Sequence, residues 1–154
     1  MSARQSEGLV TPPPLIYLGF ILIGVGLNYQ WPWSFIIGIA RYVLGVATIV
    51  VSIAIFVWVL TMFSSARTSV DHRKPTTALI TSGPFRYSRN PIYVSMTLLS
   101  AGIAVVTSNF WILLMTLPAV ITVHFLVILR EEAFLKEKFG DRYLQYCASV
   151  RRWI

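Results

Sequence analysis

Residues 35–63 read F-I-I-G-I-A-R-Y-V-L-G-V-A-T-I-V-V-S-I-A-I-F-V-W-V-L-T-M-F, with Arg41 as the one charged side chain. A helix rises about 1.5 Å per residue, so about 20 apolar residues cross the roughly 30 Å hydrocarbon core of a bilayer. This stretch exceeds that length. Arg41 stands near its start, where a long side chain reaches the headgroups. A run of this kind fixes the solvent for the rest of the chain. Every neighbouring segment must satisfy its backbone internally wherever it meets lipid.

The composition around it agrees. The 154 residues are 56% hydrophobic and only 12% charged, where a soluble domain carries roughly a quarter charged residues. The length bounds one domain, 1–154. The net charge is +7, but the basic residues fall between apolar segments, so anionic lipid headgroups rather than nucleic acid are the expected counter-charge. Cys147 is the only cysteine, which excludes an internal disulfide. The Cys and His positions offer no zinc site, and no metal is expected.

Toward the N-terminus, residues 1–13 are polar and run into Pro12, Pro13 and Pro14. They read as a flexible lead-in rather than a secretory signal, because the apolar stretch beyond is long and no small-residue cleavage site follows. A first span is expected from Leu15 to Leu27, lengthened into the interface by Asn28 to Trp33, with Trp31 and Trp33 as anchors beside Pro32. Toward the C-terminus, residues 64–90 form a polar loop carrying Arg67, Asp71, His72, Arg73, Lys74, Arg86 and Arg89, with Pro75, Gly83 and Pro84 as breakers. A third span runs from Pro91 to Val106, and Thr107, Ser108 and Asn109 make a tight turn. A fourth span runs from Phe110 to Leu129, with Pro118 expected to kink it. So short a turn makes spans three and four an antiparallel hairpin.

Residues 130–154 are charged and amphipathic. Phe134, Leu135 and Phe139 share one helical face, and after Gly140 the residue Asp141 is placed to cap a turn in which Tyr143, Tyr146, Cys147 and Val150 recur at helical spacing. The segment is expected along the membrane surface or folded back onto the spans. The fold class is therefore all-α: a polytopic membrane protein of about four transmembrane helices plus a cytoplasmic amphipathic C-terminal helix. Five Lys or Arg lie in the loop after span two and six in the segment from Arg130 onward, while the two opposite loops hold none. That asymmetry predicts a multi-pass cell-membrane protein with both termini and the large loop on the cytoplasmic side.

Two clusters could carry chemistry. The first, L-I-T-S-G-P-F-R-Y-S-R-N-P-I-Y from Leu79 to Tyr93, ends where span three begins. Asn90 as cap and Pro91 at the first helical position also account for part of it as a plain helix start. The second is Arg130, Glu131 and Glu132 at the end of span four. Two acidic residues at a helix C-terminus run against its dipole and suggest a cationic partner. His124 lies seven residues before Glu131, one face of a regular helix and about 10 Å along its axis. Intramembrane ionisable groups are default site candidates, although a lone histidine more often satisfies a neighbouring helix.

Taken together, G-P-F-R-Y-S-R-N-P-I-Y, a two-span hairpin, and R-E-E-A-F-L-K-E-K-F-G-D-R-Y-L-Q-Y resemble the isoprenylcysteine carboxyl methyltransferase family and its bacterial relatives. More distantly they resemble the phospholipid methyltransferases. The resemblance covers Thr76 to Trp153. It implies S-adenosylmethionine as cofactor, held between the membrane helices and the loop. It places Thr77, Ala78, Leu79, Ile80, Phe85, Asn90, Pro91, Ile92 and Tyr93 along that cofactor, with Glu131 as the carboxylate that holds it. Leu79, Ile80 and Phe85 can wall the adenine, Asn90 and Tyr93 can hydrogen-bond the ribose or amino-acid end, and Glu131 can pair with the ammonium.

The chain departs from that pattern at Thr77 and Asn90, where many relatives carry His, and at Val127, where many carry an Arg facing the methyl acceptor. Arg130 is the candidate to replace that arginine, and His124 is the other candidate catalytic residue. The acceptor is expected to be a lipidic or small apolar molecule reached from the bilayer. A phospholipid-amine N-methyltransferase is one alternative. A non-catalytic membrane scaffold is the other, with Ser100 and Ala104 small enough for close contact in a homo-oligomer.

Overall fold

The computed structural model describes residues 12–65 and 79–154. Thr77 and Ala78, and the loop residues Arg67, Asp71, His72, Arg73 and Lys74, lie outside the described residues. The regular elements among the described residues are all helical: α1 (Pro13–Gln30), α2 (Ala40–Ser65), α3 (Pro91–Thr107), α4 (Phe110–Val123), α5 (Leu129–Phe139) and α6 (Asp141–Ser149). A 3-10 turn, Gly83–Arg86, precedes α3, and a π-helical turn, His124–Ile128, joins α4 to α5 without a break.

Three stretches are long and apolar enough to cross a membrane: Pro13–Gln30, Ala40–Ser65 and the continuous Phe110–Phe139. Pro91–Thr107 is a shorter apolar helix between them. Side chains such as Leu22, Val43, Val50 and Ile53 on α1 and α2 are half or more exposed. Apolar helices that bury so little against their own chain fit a hydrocarbon solvent rather than water.

Packing, not burial of apolar surface, has to hold such helices together. α2 lies along α3, α3 on α4, and α4 on α1. The crossing of α2 and α3 is set by glycine. A Cβ on Gly45 would come within 2.7 Å of the Val106 backbone nitrogen, and one on Gly102 within 2.7 Å of Ile49. Gly24 does the same for α1 against α4, where a Cβ would meet the Ile112 Cα at 2.7 Å. Hydroxyls bridge the same interfaces. Ser52 donates to the Ser95 carbonyl at 2.7 Å, and Ser100 bonds Thr116 at 2.8 Å. Ser100 and Ala104 are thus both buried inside the bundle, and their small size serves contact within the chain.

Several boundaries differ from the sequence expectation. The second helix starts at Ala40 rather than Phe35, because the N–H groups of Phe35 and Ile36 donate to Ser108 Oγ at 3.2 and 3.0 Å. Residues 31–39 therefore pack as a linker on the α3–α4 turn, where Phe110 N–H bonds the Trp33 carbonyl and Trp111 Nε1 the Trp31 carbonyl. The turn itself is as expected. Ser108 takes a left-handed conformation at φ 49°, and Asn109 caps α4 by accepting from Ile112 N–H at 3.1 Å. α4 runs on past Pro118, and the departure from α geometry comes instead at His124. Gly140 stands before α6 with φ 52°, so Asp141 is its first residue and makes no side-chain cap.

At the other end of the bundle lie the 3-10 turn, the start of α3, α5, α6 and the C-terminal residues. α6 buries Tyr143 and Tyr146, the face read from its periodicity. Two outcomes are expected from this architecture. Gly45→Leu and Gly102→Ile should each lower the melting temperature in detergent, overpacking costing about 1–3 kcal/mol, whereas Gly26→Ala, with open space around it, should not. In a Cys147→Ser background, cysteines at the exposed Ser82 and Ser149 should react with impermeant maleimide only from the cytoplasmic side, and one at the exposed Ser34 only from the opposite side.

Candidate functional site

Tyr93 lies one turn into α3 and points into the core cluster of Ile16, Tyr17, Ala119, Val123, Val127 and Ile128. Its hydroxyl donates to Glu131 Oε1 at 2.9 Å, across 38 residues of sequence. The two expected motifs therefore meet. α3 begins at Pro91 because proline presets the helical φ and has no N–H to satisfy, and that start fixes Tyr93 in the first turn. Glu131 reaches it because the π-helical turn advances the chain with an extra residue per turn. That turn shifts the phase of α5 relative to α4, and such turns are frequent at functional sites. The same turn separates His124 from the Glu131 face that a regular helix would share.

Tyr17 of α1 closes the other side. Its hydroxyl bonds Thr97 Oγ1 at 2.7 Å and donates to the Tyr93 carbonyl at 3.5 Å. Tyr17 also lines a groove of about 380 Å³ between α1 and α2, floored by α3. Pro14, Leu18 and Ile21 form one wall, Ile53 and Phe56 the other, and Met96 and Leu99 the floor. The hydroxyls along it, from Ser52, Ser95 and Ser100, are already bonded within the bundle, so the groove is apolar in effect.

Glu132, next to Glu131, is the centre of an ion network. Arg152 donates to it with Nε at 2.9 Å and Nη2 at 2.7 Å, and Arg89 Nη1 stands 3.3 Å away. The bidentate geometry makes this a strong form of carboxylate pairing. Hydrogen bonding to Glu132 raises the Arg152 pKa, and burial raises those of Tyr143 and Tyr146, so both phenols stay neutral. The carboxylate of Glu132 adds to the shift at Tyr143.

The remaining expected residues are distributed as follows. Phe85 packs edge-on to Phe63 at 5.8 Å, and its carbonyl accepts from Tyr146 OH at 2.7 Å. Leu79 lines a second cavity of about 310 Å³ with Thr81, Arg142, Gln145, Tyr146 and Ser149. Ile80 is half-buried beside it in sequence. Asn90 stands in the cap position of α3, but its side chain makes no cap hydrogen bond. Its Nδ2 donates to the Arg152 carbonyl at 2.9 Å. Ile92 packs on the core cluster. His124 is stacked on Trp153 at 6.4 Å, with Nδ1 buried and without a hydrogen-bond partner among the described residues. Val127 is buried in the core, whereas Arg130 is exposed and makes no ion pair among the described residues.

The phospholipid methyltransferase family model matches residues 40–142, a range that holds α2, the hairpin of α3 and α4, Tyr93 and Glu131. The chain belongs to the phospholipid methyltransferase family. It is thus a membrane methyltransferase by family, and the match starts at α2, well before the motif-bearing half in which the likeness to methyltransferases is legible. No curated protein and no solved structure was found to match the chain.

The sequence reading missed Arg152, Trp153 and Tyr17. Arg152 and Trp153 follow an amphipathic helix and read as solvated or interfacial ends. Tyr17 reads as one more apolar residue of a span. The signal that pointed to a partner was the Glu131–Glu132 pair, of which Glu131 accepts from Tyr93 and Glu132 pairs with Arg152 and Arg89.

No metal cluster is formed by His, Cys, Asp or Glu among the described residues.

Proposed function

We propose that the protein is an integral membrane S-adenosylmethionine-dependent methyltransferase that methylates a lipidic or small apolar acceptor. The observation that carries this reading is the Tyr93–Glu131 hydrogen bond at 2.9 Å. It joins the two motifs that the resemblance assigns to the cofactor, inside the range matched by the phospholipid methyltransferase family.

The chemistry of the donor set suits that cofactor. Glu131 is a half-buried carboxylate oriented by a buried phenol, which favours a cationic ligand group over a neutral one. Leu79, Ile80 and Phe85 supply apolar surface for an adenine. Bound there, the cofactor supplies an electrophilic methyl group on a sulfonium. The chain's own residues bind, orient and exclude water, which is what an in-line displacement asks of a protein. Asn90, whose Nδ2 is held by the Arg152 carbonyl, acts in this reading by fixing the start of α3 rather than by donating to a ribose.

The acceptor is taken from the membrane. The groove between α1 and α2 is lined by Tyr17, which is bonded to the Tyr93 carbonyl, so in this reading an apolar chain lying in it comes close to the Tyr93–Glu131 pair. Val127 puts no charge into the core where many relatives carry Arg, and this favours an acceptor without a carboxylate. Cytoplasmic placement of both termini and of the site follows from the excess of Lys and Arg at that end.

Glu131→Gln should weaken S-adenosylmethionine binding by about tenfold to a hundredfold in titration calorimetry, the loss of a charge-assisted hydrogen bond costing roughly 1.5–3 kcal/mol. Tyr93→Phe should cost less, about 1 kcal/mol. Unchanged affinity in folded Glu131→Gln protein contradicts the site. For the acceptor, turnover on a prenylcysteine carboxylate should be poor beside uncharged apolar thiols, amines or hydroxyl compounds, and Val127→Arg should raise it. Arg130→Ala should abolish turnover with cofactor binding intact if Arg130 replaces the missing arginine, and should change little if it sits among headgroups.

A further inference from the structure

The last residues of the chain return across the site end of the bundle. α6 stops at Ser149, and Val150 is extended, at φ −128° and ψ 133°. The strand-like tail then bonds the turn before α3. Arg89 N–H donates to the Arg151 carbonyl at 3.0 Å, while Asn90 Nδ2 and Ser88 Oγ donate to the Arg152 carbonyl at 2.9 and 3.4 Å. The Arg152 side chain crosses to α5 and grips Glu132 with two nitrogens. Trp153 then covers His124 in the π-helical turn and packs on the core cluster that contains Tyr93.

One residue therefore holds both elements of the site. Through its carbonyl, Arg152 fixes Asn90, three residues before Tyr93. Through its guanidinium it fixes Glu132, next to Glu131. Arg89 also joins the 88–90 turn to α5, through its single longer contact with Glu132 at 3.3 Å. The Glu132 side chain is 14% exposed and that of Arg152 36%, so salt screens this pair in part.

We propose that Arg152 is a positioning residue: its clamp between the start of α3 and the start of α5 sets the spacing at which Tyr93 meets Glu131. This rests on the methyltransferase reading for its catalytic consequence but not for its structural one. The strength of the clamp comes from the forked guanidinium. Arg152→Lys keeps the charge and gives up the two-nitrogen grip, so it should fall between the native protein and Arg152→Ala.

The test uses full-length protein in detergent, with hydrogen exchange and S-adenosylmethionine titration on the native chain, Arg152→Lys and Arg152→Ala. Arg152→Ala should raise amide exchange about tenfold, the scale of a lost charge-assisted pair, in residues 88–94 and 129–133. Exchange in α2 should stay unchanged. The S-adenosylmethionine dissociation constant should rise about tenfold in Arg152→Ala, with Arg152→Lys intermediate in both readouts. Unchanged exchange at the two segments overturns the clamp, as does an equal rise over all helices or a Lys variant no better than Ala. If the native chain binds no S-adenosylmethionine, the methyltransferase reading fails, and the exchange pattern alone decides the clamp.

Discussion

The hydrogen bond from Tyr93 to Glu131 requires a helix that begins at Pro91 and another that passes Val123 to arrive side by side at one end of the bundle. Neither residue can be moved by a turn without losing it. Three local features meet that demand. Proline fixes where α3 starts, the π-helical turn sets the phase with which Glu131 emerges, and glycine sets how closely the helices lie. In a bilayer the last of these matters most, because lipid gives helices no hydrophobic reason to associate and close packing must do it. Gly24, Gly45 and Gly102 stand where a Cβ would collide with a neighbouring helix.

The two carboxylates at the start of α5 meet different neighbours. Glu131 faces a phenol and is oriented by a neutral donor. Glu132 faces two arginines and is neutralised by them. Asn90 is turned to the C-terminal tail, the same tail that brings Arg152 to Glu132.

Much of the architecture could be read from residue patterns. A long apolar second helix, the Thr107–Asn109 turn, the start at Pro91 and the buried Tyr143–Tyr146 face follow from length, proline chemistry and helical spacing. The Phe35–Ile39 segment could not be read this way, since its apolar residues are as suited to a helix as those after it. A hydroxyl from a residue far along the chain, Ser108, decides the matter. Pro118 carries the local signal for a distorted helix, yet the distortion lies at His124, and no residue type there announces it. Tyr93 and Glu131, which meet in the structure, both lie in stretches that motifs mark. Arg152 was not legible, since a terminal arginine looks the same whether it is solvated or clamped to a carboxylate.

The proposed methyl transfer requires that Glu131 and Tyr93 form part of a binding site for a sulfonium nucleoside. Equilibrium binding of S-adenosylmethionine to the purified protein in lipid nanodiscs tests this most directly. Saturable binding at one site per chain, displaced by S-adenosylhomocysteine, is the expected result. The absence of saturable binding in folded protein, with nanodiscs of several lipid compositions, would contradict it.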